Sequence, residues 1–395
     1  MTDLERKAGR RALRHKRYAA RILRTTFRQW GARLGLLWIG IVAFVAVFAP
    51  FLANSRPLLV SVDGVVSSPV VEALGAADVT WMVAFVTLLL TMLLPIGWGK
   101  RIVVVLLAAL ASASLAPRWF QPPTLVVHEH HREQVARGAY DWQVFPPVPY
   151  SPRDYLRDQG DTGFQPPSRA HWMGTEENGA DVLSRMIHAS RIALGIGLVA
   201  TGIAMVIGVI IGGLMGYFSG IVDIVGMRLV EIFEAIPTLF LLLTFVAFFG
   251  RNLYIMMIII GLTGWTGYAR YLRAEFLKLR QQDFVQAAIA AGASTPSILF
   301  RHMLPNGIAP VLVAASFGFA SAILAEATLS FLGLGLVDSP SWGQMLNQAV
   351  RSSAFNWWMA IFPGGAIFLT VFAYNLIGDA LRDAIDPKLG GSRAA

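Results

Sequence analysis

The chain has no cysteine among its 395 residues and little charge, with Asp, Glu, Lys and Arg making up 14% against roughly a quarter in a soluble domain. The first absence excludes disulfides, thiolate metal sites and a cysteine nucleophile, and leaves the redox compartment open. The second excludes an ordinary water-soluble protein. Signatures of hydrolysis are lacking too: there is no GxxxxGK[ST] phosphate loop and no GxSxG, so this chain does not bind and hydrolyse ATP by the first route or act as a serine hydrolase by the second. What is present is hydrocarbon, 55% of residues, with a mean hydropathy of +0.56.

Eight apolar runs are long enough, or nearly so, to cross a ~30 Å hydrocarbon core. They are Leu34–Asn54, Thr80–Trp98, Ile102–Pro117, Ile192–Tyr217, Leu229–Phe249, Tyr254–Ala269, Ile308–Phe331 and Trp358–Ile377. The expected fold is therefore all-α, a polytopic membrane protein. A basic head, residues 1–33 with eleven Lys/Arg and two acids, precedes the first run; head and run are too long for a simple cleaved signal peptide.

Eight spans put both termini on one side, and the basic residues choose the side. With the head and the tail in the cytoplasm, the inside segments hold 22 Lys/Arg and the short outside loops only Arg56, Arg251 and Arg351. The formal charge of +9 is thus mainly a cytoplasmic surplus, N-in and C-in. It suits anionic lipid, and no nucleic-acid reader motif accompanies it. Thr80–Trp98 and Ile102–Pro117 read as a hairpin whose tight cytoplasmic turn is Gly99-Lys100-Arg101. Parity supports two crossings here, because one would put the basic 270–306 loop outside.

Residues 55–117 thus comprise a short external loop and this hairpin, and 118–191 form an external loop with Pro-rich passages, eight Arg and nine acids. Such a stretch suits an irregular, partly ordered lid or docking surface. Within it His128-Glu129-His130-His131 suggests a metal cluster, but HExxH needs a histidine where Arg132 stands, and a solvated loop is the plainer reading. Gly208, Gly212 and Gly216 share one helix face; tight helix packing is the plain reading, and a face that slides during transport is compatible with it. Only Glu231, Glu234 and Glu326 bring carboxylates to the spans, a thin supply for a proton-coupled carrier.

The loop 270–306 is the most informative segment. Two short helices are expected there: Asp283–Ala291, stopped by Gly292, and a second with Thr295 as N-cap and Pro296 at the first helical position, running through 297–304 and ending before Pro305. Ordered helices between membrane spans make a docking element.

This loop resembles the permease subunits of ABC importers, whose pattern runs EAA, three residues, Gly, nine residues, and an apolar residue before Leu-Pro. Here stand Gln286-Ala287-Ala288, Gly292 and Met303-Leu304-Pro305. Passages at 171–194, 220–243, 323–336, 341–346 and 375–387, among them HWMGTEENGADVLSRM and ILAEATLSFLGLGL, are similar to the C-type permease of the dipeptide/oligopeptide and nickel class. The resemblance implies a six-helix core, here within 192–377 and the first span 34–54, to which this chain adds the 80–117 hairpin; 378–395 is a cytoplasmic tail.

It further implies a multi-pass protein of the bacterial cytoplasmic (inner) membrane that forms a pore with a second, B-type permease. Two ATP-binding subunits would hold ATP and Mg, this chain holding no cofactor, and an external solute-binding protein would deliver a peptide. The residues implied in coupling to the ATPase are Gln286, Ala287, Ala288, Gly292, Leu304 and Pro305, with Arg301 and His302 beside them. Gln286 departs from the pattern's Glu, which puts an ionic contact from that position in question and leaves a hydrogen bond open to it. No residue of the substrate path is distinguished. The alternatives are an ion-coupled carrier or channel acting alone, and a membrane enzyme using the His128 cluster.

Overall fold

The structure, a computed structural model, describes residues 25–123, 127–156, 163–336, 339–352 and 354–385. Most of the basic head, and Lys388 and Arg393 of the tail, lie outside the described residues. Thirteen principal helices and one small sheet occur among them, in two compact units. One comprises the chain up to Gly40, Ala193–Leu336 and Gly365 onward; the other comprises Ile41–Ile192 and Val337–Gly364.

Five helices have the length and composition of a membrane span: α1 (Trp30–Val47), α3 (Trp98–Leu115, prolonged by a 3-10 turn to Arg118), α5 (Val182–Phe218), α11 (Ala309–Leu329, prolonged to Leu334) and α13 (Trp357–Ile385). A bent pair, α6 (Gly220–Ala235) and α7 (Thr238–Phe249), which meet at 81°, has the apolar length of a sixth when the two are taken together, as a broken span or a re-entrant loop. The bend sits at Ile236-Pro237, where the proline forces Ile236 into extended backbone (φ −90°, ψ 121°). A shorter apolar helix, α2 (Ala76–Leu93), precedes α3. Tyr254–Ala269 is not one helix: α8 (Leu253–Thr263) stops at Gly264, and α9 (Trp265–Arg280) runs on through what reads in sequence as the start of the loop.

In the first unit, α9 is the hub. A Cβ at Gly208 would lie 2.7 Å from the Trp265 carbonyl, at Gly212 2.3 Å from that of Ala269, and at Gly216 2.7 Å from that of Arg273. The glycine face of α5 is thus spent on close backbone contact with α9, the substitute for hydrophobic driving force inside lipid. The core around it holds Trp265, Leu272, Phe276, Val285, Ile298 and Met303. In the same unit α1 approaches α13 closely: a Cβ at Gly35 would meet the Ala373 carbonyl at 2.6 Å, and Trp38 Nε1 donates to Thr370 Oγ1 at 3.0 Å.

The second unit contains the hairpin α2–α3. Its turn is Leu94–Gly97, not Gly99-Lys100-Arg101: Leu94, ahead of Pro95, is extended, and Lys100 and Arg101 already belong to the first turn of α3. Arg101 lies over the Trp98 ring at 5.1 Å and donates to the Leu94 carbonyl at 3.0 Å. Asp78 of α2 pairs with Arg191 of α5 at 2.6 Å. The stretches 55–75 and 127–156 are more regular than their composition suggests. Strands β1 (Leu59–Val62), β2 (Val65–Ser67) and β3 (Trp142–Val144) form an antiparallel sheet in the order β2-β1-β3. Asp63 and Gly64, both at positive φ (50° and 76°), make the β1–β2 turn, the geometry of a two-residue hairpin. Two further helices are α4 (His130–Ala136) and α12 (Trp342–Arg351).

Candidate functional site: a docking loop and a neutral cavity

After Arg280 the chain turns into α10 (Asp283–Ala290), which ends as its sequence requires. Gly292 takes φ +72°, its N–H bonds the Ile289 carbonyl at 2.9 Å and the Ala293 N–H bonds that of Ala288 at 3.1 Å. This is the glycine-dependent Schellman cap. Val285 is fully buried, and Ala288 and Leu304 pack on the same core, whereas Gln286, Ala287, Gly292, Arg301 and Pro305 are exposed and His302 is half-buried. The implied coupling residues thus divide: some anchor the loop and others face outward. Ile289 (41% exposed) and Phe300 (64%) were not distinguished in sequence, yet they are the large apolar side chains on the outward surface. Their mismatch between hydrophobicity and exposure is visible only once α10 has a buried side.

Gln286 has a specific use. Its Nε2 donates to the Arg280 carbonyl at 2.7 Å, occupying one of the acceptors left over at the end of α9. A glutamate carboxylate has no hydrogen to donate there, so the departure from the usual pattern fits this bond.

The second loop helix differs from expectation at both ends. Ser294, not Thr295, is the N-cap residue, its carbonyl accepting from Ile298 N at 3.0 Å; Pro296 is tolerated because first-turn N–H groups are unpaired in any case. Nor does the helix end before Pro305. A turn at Thr295–Ser297 passes into a π-helical stretch, Ile298–Met303, and then into Leu304–Gly307. The π stretch interrupts the regular ladder, and Pro305 sits in the first turn of the succeeding segment, where its missing N–H costs little. Asn306 Nδ2 donates to the His302 carbonyl at 2.6 Å.

Ion pairs tie the base of this loop to its neighbours. Arg273 of α9 holds Asp223 of α6 with two nitrogens, one bond measuring 2.6 Å. Arg270 meets Glu234 at 3.0 Å, and Arg280 Nη1 donates to Ser219 Oγ at 2.6 Å. Glu231 is paired with Arg228. The carboxylates near this end of the apolar helices are thus structural partners of arginine. Glu326, 2% exposed, accepts a hydrogen bond from Ser330 Oγ at 2.5 Å.

A cavity of about 460 Å³ opens among α5, α7, α8, α9 and α11. Its wall includes Thr201, Thr263, Gly267, Tyr268, Gly318 and Ser321, and among the described residues no carboxylate, amine, guanidinium or imidazole lines it. Sequence reasoning passed over these residues because small neutral side chains in apolar helices carry no motif.

The histidine cluster resolves into separate contacts. His128 Nδ1 lies 3.0 Å from Ser55 Oγ and His131 Nδ1 2.7 Å from the Tyr140 hydroxyl; burial lowers both imidazoles, His131 to about 4. Arg132, at the position where a zinc motif needs histidine, forms a two-nitrogen pair with buried Asp154 at 2.5 and 2.8 Å, which holds the guanidinium protonated. Among the described residues no group of three or more His, Asp or Glu side chains is arranged to hold a metal ion.

Residues 208–391 match the family model described as "Binding-protein-dependent transport system inner membrane component". Three curated relatives show how far the likeness reaches. The dipeptide transport system permease protein of Alkalihalophilus pseudofirmus is 36% identical over 62% of this chain and 81% of its own length. The oligopeptide transport system permease protein of Escherichia coli is 42% identical over 55% and 72%. An inner membrane ABC transporter permease protein of Escherichia coli is 32% identical over 89% and 92%.

Proposed function

The chain belongs to the family of binding-protein-dependent transport system inner membrane components, and from that premise we propose that it imports peptides as one half of a two-permease path driven by separate ATPase subunits. It is a multi-pass inner-membrane transport subunit, not an enzyme. In this reading, ATP and Mg are held by two partner subunits, a second and non-identical permease completes the path, and an external solute-binding protein delivers the peptide. The peptide class is supported by the names of the dipeptide and oligopeptide relatives. The head, tail and 270–306 loop face the cytoplasm, as the basic residues favour.

The observation that carries the coupling role is the form of the loop at 283–307. It is anchored on one side through Val285, Ile298 and Met303 and presents Ile289, Phe300 and Arg301 on the other. A partner that moves this surface moves α9 with it, because α10 is bonded back to Arg280. Energy enters only if the partner binds two arrangements of the permease with different affinity, and nucleotide in the ATPase subunits supplies that difference.

The test is substrate-stimulated ATP hydrolysis by the complete complex in vesicles. Phe300→Asp and Ile289→Asp replace exposed side chains, so the chain should still insert and assemble with the second permease. Stimulation should fall by about tenfold or more, the scale of losing one buried apolar contact. Undiminished stimulation in both variants refutes the docking assignment.

A further inference from the structure

The neutral cavity is shaped by absences. At Gly267 an added Cβ would meet nothing within 4 Å, so the wall recedes there. At Gly318 it would fall 1.8 Å from the Tyr268 hydroxyl, so glycine is what lets that hydroxyl lie against α11. Thr201 is 4% exposed and its Oγ1 has no hydrogen-bond partner among the described residues. A buried hydroxyl without a partner is unfavourable in a wall of hydrocarbon, and it points to a guest that brings a polar group of its own. The volume lies within the range of small-ligand sites.

Charge is excluded more firmly than polarity. Among the described residues no wall side chain offers an ion partner, and an ionised side chain entering this half-open, mostly apolar cavity without one loses much of its hydration uncompensated. An amide can exchange hydrogen bonds with threonine, serine and tyrosine hydroxyls at far smaller cost. We propose that this cavity receives main-chain amides and one small uncharged side chain of a peptide in passage, and rejects a charged side chain at that point. The proposal rests on the peptide-importer reading above.

The cavity is also placed to respond to the ATPase. Gly267, Tyr268 and Tyr271 belong to α9, the helix whose last carbonyl accepts from Gln286. Displacement of α10 therefore acts on the helix that carries one wall, changing the space between Tyr268 and Gly318.

Because the chain has no cysteine, a single introduced thiol reports on the cavity. Ser321→Cys is placed in the full complex with both permeases, ATPase subunits and binding protein in vesicles, and its modification by a small methanethiosulfonate is timed; Val350→Cys, exposed and outside the cavity, is the reference. A saturating tetrapeptide of alanine and serine should slow labelling at the Ser321→Cys thiol by about tenfold and leave the reference unchanged, while the same peptide with a central lysine or glutamate should slow it less than about twofold. Thr201→Val should weaken the protection.

Equal protection by charged and uncharged peptides overturns the proposal. So does a thiol that is unreactive in every nucleotide state because another helix fills the cavity, and so does labelling indifferent to a peptide that the same vesicles accumulate. The last result leaves peptide import standing. Vesicles of the wild-type complex that accumulate no peptide remove the import reading and this inference together.

Discussion

The unit around the β-sheet buries Asp154, His171, Glu176, Asp181 and Arg185, each at most 5% exposed, whereas the unit around α9 buries Leu272, Phe276, Met303, Val285 and Ile298 with few polar groups among them. In the sheet-containing unit several of these buried groups are bonded to other side chains or to backbone N–H groups. Arg132 holds Asp154; His171 Nδ1 lies 2.9 Å from Asp181, which also accepts from Ser184 N at 2.7 Å; Glu176 accepts from the Asn178 and Ala180 N–H groups. In the unit around α9, glycines let backbones touch. A segment that folds against water can trade hydration for internal partners, while helices in lipid gain nothing from hiding hydrocarbon and must gain it from fit.

The sharpest way to break that contrast is Asp154→Ala. It strands a guanidinium that is 75% shielded, its side chain being 25% exposed, and should destabilise the sheet-containing unit by about 3 kcal/mol, the low end for an orphaned buried charge. Protease sensitivity within 127–156 in detergent is the measurement, and a loss under about 1 kcal/mol would show that polar pairs do not hold this unit. Next comes Gly212→Leu, which must push against the Ala269 carbonyl; overpacking should cost about 1–3 kcal/mol, read as a lower melting temperature of the purified complex with the sheet-containing unit unaffected.

Acid separates the units more gently. The folded-state value of His131 lies at about 4, below its ordinary 6.5, and that of His128 is lowered as well. The unfolded chain therefore takes up protons first as pH falls. Stability of the sheet-containing unit should be complete above about 6.5 and decline towards 4, and His131→Gln should flatten the slope measured by proteolysis across that range; an unchanged slope would remove His131 as its source. The smallest effect is Gln286→Glu, which loses a single exposed donor to the Arg280 carbonyl. Faster amide exchange in α10 should correspond to about 0.5 kcal/mol, and no change would mean that the bond does not hold α10 to α9.

The long apolar helices and the Gly292 stop were readable because each rests on composition or on one obligatory glycine. The resemblance identified the family from short passages in order. The break at Gly264 was not readable: glycine is common in membrane helices, and nothing in Tyr254–Ala269 marks one glycine as a boundary. Asp63-Gly64 between alternating valines was a hairpin signal in plain view, obscured because the flanking strands are only four and three residues long. Pro305 misled, since a proline reads as a helix end unless the preceding turn is irregular. The outward pair Ile289 and Phe300 depends on which side of the loop is buried, which periodicity over eight residues cannot fix. The cavity depends on distances between five helices, and no local pattern encodes it.

The π-helical stretch Ile298–Met303 also sets a phase. Its two end residues, five apart, are both at most 2% exposed, although in an α-helix at about 100° per residue they would stand about 140° apart. The wider turn realigns them, so Met303 returns to the core while Phe300 and Arg301 stay outside. Deleting one residue between them would leave the composition nearly untouched and restore a regular spiral. The two would then stand four residues apart, about 40° from each other, so the faces of the loop would keep step without the wide turn; forcing the full-length stretch into α-helix would instead swing everything from Met303 to Gly307 by about 100°.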